Sequence, residues 1–211
     1  MAVRAWRDPI RRPRVGKAVA PVVECPIEMS TKNQGIPVLR TQDLFLRPAA
    51  MSDLADYHLL LLDSVASRFG QKPPGSLQET KERLRRSLTR QASGELLNWC
   101  IAEAADGPML GYVCLVRIDH AHQRSEVAYQ LRSDHWGKGM MTKALGRVVD
   151  HGFASLGFHR LEGHADPANR PSIGVLERCG FVFEGILREN YLLNGVFHDS
   201  AVYARLAPSV R

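Results

Sequence analysis

The stretch SEVAYQLRSDHWGKGMMTKAL, residues 125–145, places an alternating strand pattern directly before a turn with two glycines and an amphipathic helix. Gly137 and Gly139 carry no Cβ, so the backbone of the turn can approach a ligand closely and direct several N–H groups at it. The dipole of the helix that follows favours negative charge at its first turn. The stretch therefore predicts a binding site for a phosphorylated cofactor.

A pair of glycines between a strand and a helix can also serve only a tight turn. Here Lys138, Thr142 and Lys143 follow on the helix, where they are available to anionic oxygens, which favours the phosphate site. The turn lacks the earlier glycine and the following Ser or Thr of a Walker P-loop, and a Rossmann G-x-G-x-x-G is also missing. A nucleoside triphosphate or dinucleotide site of those kinds is therefore excluded.

The segments around this stretch alternate between strand and helix patterns. We expect strands at 43–47, 99–102, 109–116, 126–131 and 159–164, helices from Ser52 or Asp53, over 77–90, from about Lys138 and over 169–179, and two last strands around Asn194-Gly195. The segments at 99–102 and 109–116 flank a short polar turn, which predicts a β-hairpin.

The composition is that of one globular domain, with 211 residues, 45% of them hydrophobic and 24% charged. No apolar run approaches the roughly 20 residues that cross a bilayer, and the start lacks a secretory signal, so we expect a cytoplasmic protein without a membrane partner. The four cysteines are irregularly spaced and accompany no histidine cluster, which predicts reduced thiols and no metal site.

The net charge of +6 is concentrated at the start of the chain. Residues 1–17 hold six basic residues and one acid, which leaves the rest of the chain nearly neutral. We expect residues 1–40 to form a basic, flexible N-terminal arm and residues 41–211 to form the folded domain. The arm could contact RNA or a ribosome weakly, or it could be a leader without a function.

The order of these segments resembles the GNAT superfamily of acetyl-CoA-dependent N-acetyltransferases over roughly residues 43–206. The local motifs are most similar to its RimJ/RimL branch, and they are EVAYQL at 126–131, WGKGM at 136–140, NRPS at 169–172, LERCGF at 176–181 and EGILR at 184–188. The resemblance implies an α+β fold of layered α/β/α type, with a mixed, mostly antiparallel sheet of about seven strands and about four helices.

The resemblance also implies acetyl-CoA as acetyl donor and an amine as acceptor, either a protein N-terminus of the ribosomal-protein type or a small amine. The cofactor-binding residues that it implies are Leu131, His135, Trp136, Gly137, Lys138, Gly139, Met140, Thr142 and Asn169. A backbone N–H in the strand from Ala128 to Leu131, separated from its neighbour so that pantetheine can add like a strand, would stabilise the charge on the thioester oxygen.

Four positions depart from the family pattern. Asp134 replaces the usual Gln or Arg before the phosphate turn, which removes one side-chain contact while leaving the backbone contacts intact. Ala128 and Gln130 replace a Gly and a Trp near the acceptor pocket, which puts the acceptor in doubt more than the chemistry. Leu176 stands where many members have the Tyr that protonates the leaving thiolate, and in the RimJ/RimL branch a Ser is the candidate instead.

Two catalytic residues are candidates. Glu126 lies on the strand that leads into the phosphate turn, and its side chain shares a face with Ala128 and Gln130, so it could act as a base through a water. It could equally be a solvated carboxylate paired with an arginine such as Arg124. Ser172 is the acid that the resemblance implies, although Asn169 and Ser172 could also serve only to cap a helix.

Two functions of different classes fit the sequence. The first is an N-acetyltransferase. The second is a catalytically silent acyl-CoA-binding protein that docks on RNA or a ribosome through its Arg-rich arm. The acceptor is not encoded by a recognisable pattern, and a monomer and a homodimer fit the sequence equally well.

Overall fold

The computed structural model describes residues 35–70 and 72–208. Its strands are β1 Leu39–Arg40, β2 Phe45–Pro48, β3 Leu97–Ala102, β4 Gly111–Asp119, β5 Arg124–Leu131, β6 Arg160–Ala165, β7 Val182–Leu193 and β8 Val196–Leu206. Its α-helices are α1 Leu54–Leu62, α2 Leu77–Ala92, α3 Met140–Ala154 and α4 Arg170–Arg178. Residues 1–34 of the expected N-terminal arm, including the basic residues 1–17 that could contact RNA or belong to a leader, lie outside the described part of the chain.

The described strands form one sheet in the order β1-β2-β3-β4-β5-β6-β8-β7. Neighbouring strands are antiparallel except for β5 and β6, which are parallel. The predicted α+β fold with a mixed, mostly antiparallel sheet is confirmed, and the sheet has eight strands where about seven were expected. The additional strand is β1, whose two residues pair with β2 and are too few to show an alternating pattern in the sequence.

Helices cover both faces of the sheet, as the layered prediction required. On one face, Trp99 and Val113 pack with α3 and α4 in the main core. On the other face, Cys100 and Met109 form a smaller cluster with Leu60 of α1. Because successive strand residues point to opposite faces, Trp99 and Cys100 belong to different layers.

A buried ion pair fixes the start of α1 against β2. The Arg47 guanidinium donates to both Asp53 oxygens, at 3.0 and 2.6 Å, and the Ala50 N–H donates to Asp53 Oδ2 at 2.8 Å. The sequence left Ser52 or Asp53 as the residue that caps this helix. Asp53 stands at the N-cap position, but its carboxylate binds Arg47 and Ala50 instead of the helix amides. Since Asp53 is only 3% exposed, loss of Arg47 would leave a buried charge unpaired.

Three of the cysteines lie in the described region, and all three are free and buried. Burial raises the pKa of the Cys100 and Cys114 thiols to about 12 and that of Cys179 to about 11. They are therefore packing residues that stay protonated at neutral pH. Cys25 lies outside the described residues.

In residues 35–70 and 72–208, none of the helices combines the length and the hydropathy that a membrane span needs. The same residues contain no group of three or more His, Cys, Asp or Glu side chains that could hold a metal ion.

His151 of α3 makes the stability of the fold sensitive to acid. Its ring is buried, lies edge-on to Trp99 with the centroids 5.9 Å apart, and its Nε2 has no hydrogen-bond partner in the described structure. Burial, with a smaller contribution from Arg147, lowers the pKa of His151. As the pH falls below about 6.5, His151 binds a proton more readily in the unfolded chain than in the folded chain. The free energy of unfolding therefore decreases.

We expect His151→Leu to reduce the fall in melting temperature between pH 7.5 and pH 5.5 by about 2–4 °C, the shift that corresponds to roughly 1 kcal/mol in a chain of this size. Thermal unfolding followed by circular dichroism at the two pH values measures it. The exposed His159 is the matched control, because His159→Leu should retain the acid sensitivity of the wild type. Equal falls in the wild type and His151→Leu would contradict the assignment.

Candidate active site

The site begins where β5 and β6 separate. Their parallel pairing runs from Arg124 with Arg160 to Val127 with Gly163 and stops there. Beyond this point β5 stays paired with β4 as far as Leu131, and β6 stays paired with β8 as far as Ala165. A gap therefore opens between the two central strands, as the family resemblance implied.

The ladder between β4 and β5 determines which backbone groups face this gap. The Arg132 N–H donates to Leu110 O at 3.0 Å, and hydrogen-bonded pairs alternate along an antiparallel ladder. Gln130 therefore directs its backbone groups at β4, while Tyr129 and Leu131 direct theirs at the gap. The Leu131 carbonyl accepts from the Trp136 indole N–H at 2.9 Å. The amides of Tyr129 and Leu131 can pair with an extended ligand that lies along β5.

The predicted phosphate turn leads into α3 with its amides exposed. Gly137 and Gly139 have φ of +76° and +72°, a left-handed conformation that favours glycine. The first helical bond runs from the Lys143 N–H to Gly139 O at 3.0 Å, so the amides of Met140 to Thr142 have no partner within the helix. Gly139 is the N-cap and supplies no side-chain acceptor. These amides can bind an anion.

A cleft of about 650 Å³ joins the turn, the gap and the start of α4. Of the nine predicted cofactor-binding residues, eight line it, namely Leu131, His135, Trp136, Gly137, Gly139, Met140, Thr142 and Asn169. The ninth, Lys138, lies between two of them and is exposed. The residues chosen from the sequence thus surround one cavity.

The carboxylate at the unusual position 134 is neutralised locally. Asp134 Oδ2 accepts from Arg132 at 2.7 Å, and Oδ1 lies 2.7 Å from His135 Nδ1. Hydrogen bonds from His135 and Arg132 lower the pKa of Asp134. Its charge therefore has Arg132 as a cationic neighbour at the edge of the phosphate turn.

Arg178 is a residue that the sequence reasoning missed. It lines the cleft from α4, and its Nε donates to Thr142 Oγ1 at 3.4 Å. Lys143, which we expected to be available to anionic oxygens, instead forms an ion pair with Asp43. No local pattern could reveal Arg178, because it lies 36 residues from Thr142 and reaches the cleft only through the packing of α4 on α3.

A second cavity of about 330 Å³ adjoins the cleft. Its walls include Tyr57, Tyr112, Glu126, His164 and Asp166. The residues that line both cavities are Ala66, Phe69, Tyr129, Gln130, Asn169 and Ser172. The place where the two cavities meet is therefore defined by the gap beside β5 and the start of α4.

Gln130 joins the second cavity to the segment after α1. Its Nε2 donates to Ser67 Oγ at 3.0 Å and to Leu60 O at 3.3 Å. Gln130, which stands where the family pattern has a Trp, thus fixes one wall of the second cavity.

Glu126 lies on the wall of the second cavity with 17% of its side chain exposed. Its Oε2 accepts from Arg117 Nη1 at 2.8 Å. The arginine partner considered from the sequence was Arg124, which instead contacts Asp119. Arg117 lies at an irregularity in the β4–β5 pairing and has φ of +50°, a conformation uncommon for a side chain of this kind.

Asn169 and Ser172 combine the two roles considered for them. Asn169 Oδ1 accepts from the Ser172 N–H at 3.2 Å and so caps α4. Both side chains also line both cavities. The Ser172 hydroxyl lies 2.9 Å from the Tyr129 hydroxyl, so the capping geometry leaves it on the cavity wall.

Asp166 is a second carboxylate of the smaller cavity that the sequence did not reveal. The Tyr191 hydroxyl donates to its Oδ2 at 2.8 Å, and His198 Nδ1 lies 3.5 Å from the same oxygen. Burial and then the neighbouring Asp166 raise the pKa of Tyr191 to about 12. Asp199, by contrast, accepts the Glu189 N–H at 2.8 Å, at an irregularity in the pairing of β7 with β8.

Comparison with known families agrees with this geometry. Residues 43–182 match the model of the acetyltransferase (GNAT) domain. The chain is 33% identical to the Probable N-acetyltransferase YjcK of Bacillus subtilis (strain 168) over 178 residues, which cover 81% of this chain and 98% of that protein. It is 28% identical to the spermidine N(1)-acetyltransferase of Vibrio cholerae over 157 residues, 74% of this chain and 88% of that protein.

Solved structures show the same fold. The ribosomal-protein-S5-alanine acetyltransferase from Vibrio fischeri superimposes with a TM-score of 0.73 and 20% identity, over 83% of this chain and 99% of that chain.

The phosphate turn yields a direct test of the cleft. Because Gly139 has φ of +72°, Gly139→Ala would strain the turn by about 1–2 kcal/mol. The added Cβ would meet no protein atom within 4 Å, so the methyl group would lie beside the amides proposed to bind the anion. We expect the Kd for CoA, measured by calorimetry, to rise at least about tenfold, which corresponds to roughly 1.4 kcal/mol.

Gly94, between α2 and β3, is the matched control. It has φ of +77° and equally open surroundings, and it does not line the cleft. Gly94→Ala should therefore carry the same strain and bind CoA like the wild type. Equal CoA affinity in Gly139→Ala and Gly94→Ala would show that the turn does not bind the cofactor.

Proposed function

Because the chain belongs to the GNAT acetyltransferase family and is an N-acetyltransferase that uses acetyl-CoA, we propose that its acceptor is the α-amine of a protein. The observation that carries this proposal is the smaller cavity, which meets the cleft at the gap beside β5 and offers Glu126 as a base. Both carboxylates of this cavity already have partners within the protein.

The residues of the cleft fit the donor. The amides of Met140 to Thr142 would bind the pyrophosphate, with Arg178 supplying a positive charge. The backbone of Tyr129 and Leu131 would pair with the pantetheine amides along the gap, and Asn169 would hold the far side. Bound in this way, acetyl-CoA supplies an activated acetyl group at the place where the two cavities meet.

The oxygen of the thioester would lie against the backbone N–H groups of β5. An N–H that already points to the site where negative charge develops stabilises that charge without further rearrangement. Tyr129 is the first residue beyond the last β5–β6 pair whose N–H faces the gap, and we assign this role to it.

Glu126 would remove the proton of the acceptor. An α-amine titrates near pH 8, so its deprotonation at neutral pH costs only about 1 kcal/mol, and a carboxylate acting directly or through one water suffices. Arg117 holds the Glu126 carboxylate against the cavity wall at 2.8 Å. The proton for the departing sulfur would come from the wall around Ser172, which lines both cavities.

The charges of the smaller cavity favour one amine over a polyamine. A polyamine presents several ammonium groups, and each needs a carboxylate that is not already paired. Glu126 would engage the reacting amine, and the other carboxylate of the cavity, Asp166, already accepts from Tyr191 and lies beside His198. The smaller cavity therefore suits a single amine followed by an uncharged main chain, which is what a protein N-terminus presents. The Vibrio fischeri neighbour is named for such an acceptor.

We expect peptides that begin with Ser or Ala to be acetylated with a kcat/KM at least about tenfold above that for spermidine. Release of CoA thiol measures both with the same enzyme and acetyl-CoA. The same peptides with a blocked α-amine and a free lysine side chain are the control. Faster turnover of spermidine than of every peptide would show that the acceptor is a polyamine and not a protein α-amine.

Replacement of Glu126 tests the base. Glu126→Gln keeps the size of the side chain and removes its basicity, so kcat should fall by about 10²–10⁴, while the Kd for CoA stays within about twofold of the wild type. Glu162→Gln is the matched control, since Glu162 is the register partner of Glu126 on β6 and lines neither cavity. A kcat for Glu126→Gln equal to that of Glu162→Gln would exclude Glu126 as the base.

A further inference from the structure

Two hydroxyl groups lie where the cavities meet. Of the described residues that line both cavities, only Tyr129 and Ser172 carry a hydroxyl. Thr142 lines the cleft alone, and the hydroxyls of Tyr57, Ser67 and Tyr112 line the smaller cavity alone. The proton that the departing sulfur needs therefore has two sources within the described walls.

Hydrogen bonds link the two hydroxyls to each other and to the Ser172 carbonyl oxygen. The Tyr129 hydroxyl lies 3.0 Å from the Ser172 carbonyl oxygen, to which it donates, and 2.9 Å from Ser172 Oγ. Each hydroxyl has a single proton. When Tyr129 donates to the carbonyl, the Ser172 hydroxyl is the donor to the tyrosine oxygen, and it can keep this hydrogen bond while the Tyr129 proton turns from the carbonyl towards a ligand.

The acidities favour the tyrosine. A phenol is a much stronger acid than an alkyl hydroxyl, and proton transfer to a thiolate, whose conjugate acid titrates near 8.5, is easier from the group with the closer pKa. Burial raises the pKa of Tyr129, with the hydrogen bond from Ser172 acting in the opposite direction. The tyrosine therefore holds its proton at neutral pH.

The position at which the family resemblance would place a tyrosine cannot supply the proton. Leu176 occupies it, is 1% exposed and packs against Gly163 of β6. Tyr129 reaches the same region from β5 instead, and its hydroxyl contacts the first turn of α4.

We propose that Tyr129 donates the proton to the departing sulfur and that Ser172 positions it. As the C–N bond forms and the C–S bond breaks, the electron pair of the C–S bond goes to sulfur and the Tyr129 O–H proton follows it. The resulting phenolate accepts a hydrogen bond from Ser172 Oγ. It regains a proton from solvent, which has received the proton that Glu126 removed from the amine.

The inference rests on the proposed assignment of the two cavities. It does not depend on which amine is the acceptor, because the test uses whichever acceptor the wild type acetylates fastest. Turnover of spermidine without turnover of peptides would refute the protein acceptor and leave the test of Tyr129 in place.

Tyr129→Phe keeps the ring and removes the proton. With acetyl-CoA we expect kcat to fall about 10²-fold, the lower end of the range for a general acid. With the selenoester analogue of acetyl-CoA, whose selenolate leaves without a proton, the loss should be less than about tenfold. Ser172→Ala should lose less than Tyr129→Phe with the thioester, because the tyrosine proton remains.

A titration of bound CoA gives a readout that does not depend on turnover. A hydroxyl that donates to sulfur stabilises the thiolate, so the pKa of the bound CoA thiol, followed by its ultraviolet absorbance, should rise by about one unit in Tyr129→Phe. Tyr203→Phe is the matched control, because Tyr203 is also buried and lines neither cavity. It should match the wild type in the titration and in both kcat values.

Three results would overturn the proposal. Equal losses of Tyr129→Phe with the thioester and the selenoester would show that the tyrosine is only structural. Rescue of Ser172→Ala but not of Tyr129→Phe by the selenoester would assign the proton to Ser172. An unchanged pKa of the bound thiol in Tyr129→Phe would exclude contact between the hydroxyl and the sulfur.

Discussion

The separation of β5 from β6 is the constraint on which the site depends. The two strands pair only as far as Val127 and Gly163, and each then follows a different neighbour. A Cβ at Gly163 would lie 2.5 Å from Leu176 Cδ2, so the absence of a side chain there lets α4 approach the sheet closely. That approach brings Asn169 and Ser172 to the opening. The backbone of β5, the phosphate turn and the smaller cavity thus meet at one place.

The phosphate turn combines backbone amides with a small number of cationic side chains. Asp43 engages Lys143, and Asp134 is held between Arg132 and His135. The positive potential that remains comes from the first amides of α3, from the exposed Lys138 of the turn and from Arg178 on α4. A site built in this way tolerates the loss of the usual Gln or Arg at position 134, since that side chain adds one contact to several main-chain contacts.

The sequence predicts the parts of this protein that are encoded by short segments. The alternation of β5, the glycine turn and the period of α3 each span fewer than twenty residues, and the predicted fold is confirmed. The pairings of Arg178 with Thr142 and of Asp166 with Tyr191 join residues far apart in the chain. Such contacts follow from how helices and strands pack, so no local sequence pattern predicts them. The strand β1 could not be predicted either, because two residues are too few to show an alternating pattern.

The burial of the three described thiols affects whether the enzyme can form a disulfide with its product, CoA. Each transfer liberates free CoA, and under oxidising conditions, in which CoA is itself converted to a disulfide, an accessible cysteine thiolate can attack that disulfide and form a mixed disulfide with CoA. Cys179 lies close to the cleft, with its Sγ 3.4 Å from the Thr142 carbonyl oxygen. Its burial and its pKa of about 11 keep it protonated and shielded. Within the described chain, the protein therefore resists covalent capture by the compound that it continually generates.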